Sequence, residues 1–168
     1  MRLGWRQPRA NDYQGPDSRP LKDTFASLQQ YMTWPHIHVR DDSLTVNAAT
    51  GTFAAWDNEI DDPYTLHNGT SVDIMVPRDF DTWMLVGQAA GKLTSPGGAG
   101  RRAITWAVNS TLTEWGQTNM DDQASANSVV GIIQQVKKGD TIQVQIFNGA
   151  AGNDGWVVRA SMFFLPMA

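Results

Sequence analysis

Three groupings in the sequence have residue types and spacings that could do chemistry. Trp34-Pro35-His36-Ile37-His38 puts His36 and His38 two positions apart, on one side of a strand, a workable spacing for two metal-ligating imidazoles. His67 is the only other histidine and Cys is absent, so a zinc site would need carboxylates from elsewhere, and a satisfied or solvent-facing His pair is the better reading. Asp57-Asn58-Glu59-Ile60-Asp61-Asp62 is the densest acidic run, and Asp57, Glu59, Asp61 and Asp62 carry the oxygen ligands that Ca²⁺ takes. The run lacks the Asp-x-Asp-x-Asp-Gly order and distal Glu of an EF-hand loop, so it reads as a solvated acidic loop and no metal is expected. Asp79 and Asp81 flank Phe80 as a carboxylate pair, but such residues at a strand edge more often end or protect the pairing.

The catalytic inventory ends there. No GxSxG elbow, HExxH helix or GxxxxGK[ST] loop is present, so neither an enzyme nor a cofactor is expected. The Gly-rich stretches 95–100 and 148–155 read as flexible surface connections. If the protein recognises a ligand, loops 93–100 and 148–155 are where recognition would live, with Trp115 and Trp156 able to stack on sugar rings, although core is the favoured place for both. Asn68-Gly69-Thr70 and Asn109-Ser110-Thr111 match the glycosylation pattern and read most simply as turn chemistry.

The elements that must position these residues are strands. From Pro35 onward Gly, Asn, Asp and Pro punctuate short apolar runs, which predicts strands over 37–40, 43–46, 52–56, 71–76, 82–90, 102–109, 112–115, 128–136, 141–147 and 156–165. Lys137-Lys138-Gly139-Asp140 reads as a turn joining 128–136 and 141–147 into a β-hairpin, with Ile142, Val144 and Ile146 on its core face. The runs 83–86 and 157–165 are apolar on both faces, as expected of strands with a core on one side and another subunit or sheet on the other. Residues 1–35 differ: prolines, glycines and charges dominate, so they read as an extended arm, either disordered or ordered on a neighbour, with one short helix over 23–32.

Composition excludes several classes. A chain of 168 residues suits one domain, and without Cys it has neither disulfides nor thiolate metal sites. A net charge of −4 argues against a nucleic-acid partner. No run approaches the ~20 apolar residues of a membrane span, and the basic N-terminus is followed by no apolar core of a signal peptide.

The segments 122–130, 136–145 and 160–167 together resemble the end of a C1q/TNF-like domain: a Ser/Ala-rich lead-in to a strand, a Lys-Gly-Asp turn, and a closing strand rich in Ser, Phe and Leu that ends near Pro. Residues 101–111, with Asn109-Ser110, look like the preceding pair, and the resemblance spans roughly residues 70–168. It implies a jelly-roll sandwich of about ten short strands, residues 36–168, that packs as a homotrimer about a threefold axis. Trp83, Leu85, Gln143, Gln145, Phe163 and Leu165 are the interface residues expected on that basis. The closing Ser161-Met162-Phe163 departs from the Ser-Phe-Ser-Gly of animal members, and no collagen stalk precedes the domain. C1q/TNF-like domains also occur in virions of tailed bacteriophages, each with a short anchoring element. An arm followed by a trimeric jelly roll looks like that set. The expectation is therefore a capsid decoration or head-fibre protein on the virion surface, made in the host cytoplasm. Leu3, Trp5, Arg6 and Tyr13 would anchor it to the major capsid protein or another virion protein. The alternative is a receptor- or glycan-binding module of a tail or fibre tip.

Overall fold

Stretches of alternating apolar and polar residues recur from His36 onward, and those among the described residues fold as strands. The computed structural model describes residues 34–113, 118–120 and 127–167. The arm with its helix over 23–32, the anchoring candidates Leu3, Trp5, Arg6 and Tyr13, and Trp115 lie outside the described residues. Pro35–Met167 is one compact unit.

Eleven strands are described: β1 (His36–Val46), β2 (Thr50–Phe53), β3 (Asn58–Asp61), β4 (Ile74–Met75), β5 (Thr82–Ser95), β6 (Arg102–Val108), β7 (Thr111–Leu112), β8 (Thr118–Met120), β9 (Asn127–Lys137), β10 (Thr141–Asn148) and β11 (Asp154–Pro166). One sheet runs β3-β1-β11-β5-β9. The other runs β2-β10-β6-β7, with β4 also on β10 and β8 also on β6. Among the described residues there is no helix, and the all-β jelly-roll sandwich expected from the sequence is the architecture found.

The inner faces of the two sheets meet over four fully buried tryptophans, Trp56, Trp83, Trp106 and Trp156. Each ring carries on the order of 150–250 Å² of surface into the core, which is why so high a Trp content suits a sandwich of short strands. The Trp83 indole donates to the Pro77 carbonyl at 2.8 Å. Trp106 crosses from its own sheet to donate to the Val130 carbonyl of β9 at 3.3 Å. Trp156 is core, the place the sequence favoured for it over stacking on sugars, and its indole N–H reaches neither solvent nor an acceptor among the described residues.

The predicted hairpin is corrected. Its turn is present, with Gly139 at φ +79°, but β9 pairs with β5 in the first sheet while β10 pairs with β6, β2 and β4 in the second. The turn therefore carries the chain across the sandwich. Its hydrogen bonds go to the linker before β5 instead of along a ladder: Gly139 N donates to the Val76 carbonyl, and Lys138 N to that of Asp81.

The two predicted strands at 37–40 and 43–46 are one strand with a bulge between Asp41 and Leu44. Asp41 fills the bulge, buried, accepting from Ser43 N at 3.0 Å and Ala55 N at 3.1 Å. Burial pushes its carboxyl above the usual range, against the opposing pull of those two amides. The native state thus holds the proton more tightly than the unfolded chain. This contribution is complete below the unfolded value and is lost as pH rises through the raised native value. Wild type is expected to lose stability relative to Asp41→Asn as pH rises from the ordinary carboxylate range through the raised native value. Urea titrations of both proteins across that range check it, and a constant difference would contradict it.

Candidate interaction face

Strands β5 and β11 are apolar on both sides, so filling the sandwich leaves a second apolar surface on the outside of the first sheet. The pairing registers set its rows. His36, Phe163, Val86 and Ile133 lie side by side across β1, β11, β5 and β9. Phe163 is 50% exposed, Ile133 75%, and Val129 on the same strand edge 55%. Leu165, Met84 and Gln135 form the neighbouring row toward one end. Toward the other, His38, Ser161, Gln88 and Gly131 come next, then Arg40, Arg159, Ala90 and Val129, then Val157, Lys92 and Asn127. The face is apolar at one end and cationic at the other. An exposed apolar surface of this kind on a single chain marks an interaction site.

His36 is built into this face. Its ring stacks on Phe163 at 5.9 Å and 30°, meets Tyr64 edge-on at 5.9 Å, and its Nε2 lies 3.0 Å from Asp61 Oδ2. His36 and His38 do share a side of β1, as the spacing implied. Among the described residues, however, no three His, Asp or Glu side chains gather to hold a metal.

The acidic run is a strand, not a loop, for four of its six residues: β3 is the exposed edge of the first sheet, paired with β1. A register shift against β1, which sets Asp61 opposite His38 and Glu59 opposite Val39, separates its carboxylates. Asp61 turns to His36, while Glu59 Oε1 lies 2.6 Å from Nδ1 of buried His67, whose Nε2 donates to the Ser71 carbonyl at 2.9 Å. Asp62 accepts from Leu66 N and His67 N, each at 2.9 Å, and Asp57 is exposed. Three of the four calcium candidates thus serve three different tasks, and the fourth, Asp57, stands exposed. Asp79 and Asp81 do not converge either: both are exposed, and Asp81 bonds Lys138 Nζ at 2.5 Å, a contact that holds its carboxyl below the usual range.

Of the interface residues read from the sequence, Phe163 and Leu165 stand on the outer face. Trp83 and Leu85 do not. They point into the sandwich and are fully buried within the chain, because the larger alternate residues of β5 fill the core and Met84 and Val86 face out. Gln143 and Gln145 lie on the other sheet. There Gln143 is covered by the chain itself, donating to Asp73 Oδ1 at 2.6 Å and accepting from Ser110 N at 2.9 Å, and Gln145 packs over Gly51. Sequence reasoning missed Ile133 and Val129. The doublets in Val129-Val130-Gly131-Ile132-Ile133, apolar at both parities, were the available signal.

The two Gly-rich stretches are not loose. Arg102 and Asp154, both fully buried, form a two-pronged ion pair at 2.6 and 2.9 Å. Arg102 also donates to the carbonyls of Gly98 and Gly100, and Asp154 accepts from Gly97 N at 2.7 Å. Backbones touch at this junction: a Cβ on Gly97 would lie 2.2 Å from the Gly152 carbonyl carbon. Asn109 and Ser110 take positive φ values of 51° and 63°, the two-residue turn expected of that sequon.

No family model matches the sequence, and no curated protein matches it. Among solved structures, PRD1 vertex protein P5 is similar with a TM-score of 0.56 at 8% identity, over 78% of this chain and 96% of that one. The globular domain of zebrafish complement 1qA protein gives 0.47 at 15% identity, over 75% and 94% of the two chains. Eiger TNF from S. frugiperda gives 0.49 at 10% identity, over 80% and 95%. The likeness to the PRD1 protein is one of fold, a jelly roll spanning nearly all of that chain.

Proposed function

We propose that this chain is a structural virion protein of a bacteriophage, a trimeric knob that decorates a capsid or head fibre and is fastened by residues 1–35. The observation that carries the reading is the outer face of the first sheet, where Phe163, Ile133 and Val129 stand exposed on the single chain beside half-buried Val86. A homotrimer with these faces turned toward the threefold would bury them, and the fold likeness to a vertex protein supports a place on a particle. Asp41, Glu59, Asp61, Asp62, His36 and His67 are engaged in contacts within the fold, and binding and assembly account for the surface better than turnover does. Removing residues 1–33, which keeps the hydrogen bond from Phe164 N to the Pro35 carbonyl, is expected to leave a trimer that no longer binds particles. Particle binding by the truncated protein would refute the arm's role.

One observation favours a second reading, a receptor- or glycan-binding tip. Along β1, His36 lies opposite Phe163 and Val46 opposite Asp154, so the clamped loops sit at the far end of an 11-residue strand from the chain's start. That is about 35 Å from His36 at ~3.3 Å per residue, and it gathers both loops at one end of the sandwich. Binding on a glycan array that loop substitutions abolish would favour this reading, while full occupancy of capsids with no host-cell binding favours decoration.

A further inference from the structure

We propose that Arg159 and Lys92, flanked by Arg40, form an oxyanion site on the assembled knob that takes a free phosphate or sulfate at the threefold. The inference rests on the trimer reading above. It starts from a charge pattern that the monomer leaves unresolved.

Arg40 and Arg159 are directly opposite one another on the outer face of the first sheet. Directly opposed residues have Cβ atoms about 5 Å apart, and like charges there are destabilising. Lys92 pairs with Val157, two residues from Arg159, and so falls on the diagonal, at about 7–8 Å. Arg40 has an ion-pair partner in Asp42. Arg159 and Lys92 are exposed, and their outward neighbours in register are Arg40, His38, Gln88, Ala90, Val157 and Asn127. None is acidic. In a chain of net charge −4, three of the eight described Lys and Arg residues, Arg40, Lys92 and Arg159, stand together on the face that assembly would cover.

Assembly sharpens the conflict. The cationic rows are continuous with the apolar rows, so a trimer that buries Phe163 and Ile133 brings three Arg159 and three Lys92 together. An ion removed from water without a partner costs several kcal/mol. A tetrahedral oxyanion resolves this, because its oxygens match the planar forks of several guanidinium groups and lysine adds point charge. Carboxylates of a neighbouring copy are the competing way to neutralise the cluster, and the experiment separates the two.

The full-length protein is melted in chloride buffer and in buffers with increasing sulfate or phosphate at matched ionic strength, with native mass measured in each. The expected result is a saturable rise in melting midpoint of roughly 2–4 °C at millimolar oxyanion. Arg159→Gln with Lys92→Gln should abolish the saturable component and leave only the gradual rise that sulfate gives any protein. In chloride alone the variant trimer should be at least as stable as wild type. A wild-type trimer without a saturable shift, or with the same shift in the variant, overturns the oxyanion site and leaves the trimer standing. A variant trimer that is markedly weaker in chloride shows that a neighbour's carboxylates do the neutralising, which also overturns it. A wild-type protein that is monomeric in every buffer overturns both readings.

Discussion

Arg102→Met is expected to cost about 3–5 kcal/mol of stability, the largest single-substitution loss in the described domain. The side chain is fully buried and so is its partner Asp154. Taking away the guanidinium leaves a carboxylate in the core with only the Gly97 amide to face, and it also strips a donor from the carbonyls of Gly98 and Gly100. Asp154→Leu should be comparably harmful for the mirror reason. Replacing both at once should recover much of the loss, because two apolar groups restore a neutral interior, while the two glycine carbonyls keep a residual cost. Gly97→Ala attacks the same junction by a different route, since its Cβ would overlap the Gly152 carbonyl. Combined with Arg102→Met it should therefore cost less than the sum of the two. Urea unfolding at one fixed protein concentration measures all five variants, the fixed concentration keeping assembly constant. A loss under about 1 kcal/mol for Arg102→Met would mean the loops are not held by this pair.

How much of this was legible in the sequence depends on whether a feature is local. The turn at Lys137–Asp140 could be read because Gly139 and Asp140 carry its geometry themselves: Gly139 takes the positive φ, and Asp140 Oδ2 accepts from Lys137 N at 2.8 Å. The partners of the strands it joins could not. A tight turn reverses the chain whether the next strand continues the same sheet or opens the opposite one, and alternation looks the same in both. The pairing of Arg102 with Asp154, 52 residues on, had no local mark. Strand β3 was missed because an edge strand with all four residues exposed shows no apolar periodicity. The doubly apolar runs did announce a second apolar side, but not its parity. The resemblance put Trp83 and Leu85 at a subunit interface, whereas the core took both and left Met84 and Val86 on the outer side.

Ile133→Asp combined with Phe163→Asp is expected to convert an assembly of about 55 kDa, three 18.5 kDa chains, into a folded monomer. Both side chains are at least half exposed on the single chain, so the substitutions remove little from its core, and surface changes of this kind usually stay within about 0.5 kcal/mol. In the trimer the same positions would be dry, and each carboxylate would meet apolar surface with no donor, a penalty of a few kcal/mol per subunit. The contrast between a small effect on folding and a large one on assembly identifies the face, because a core defect would move both together. Gln143→Ala supplies the opposite case. It lies on the other sheet and holds Asp73 and Ser110 N within the chain, so it should lower the unfolding midpoint and leave the mass unchanged. Sedimentation or native mass read beside a melting curve separates the two patterns. If Gln143→Ala dissociates the assembly while the double aspartate variant stays trimeric, the subunits meet through the second sheet, and the exposed row of Phe163 and Ile133 faces something other than a copy of itself.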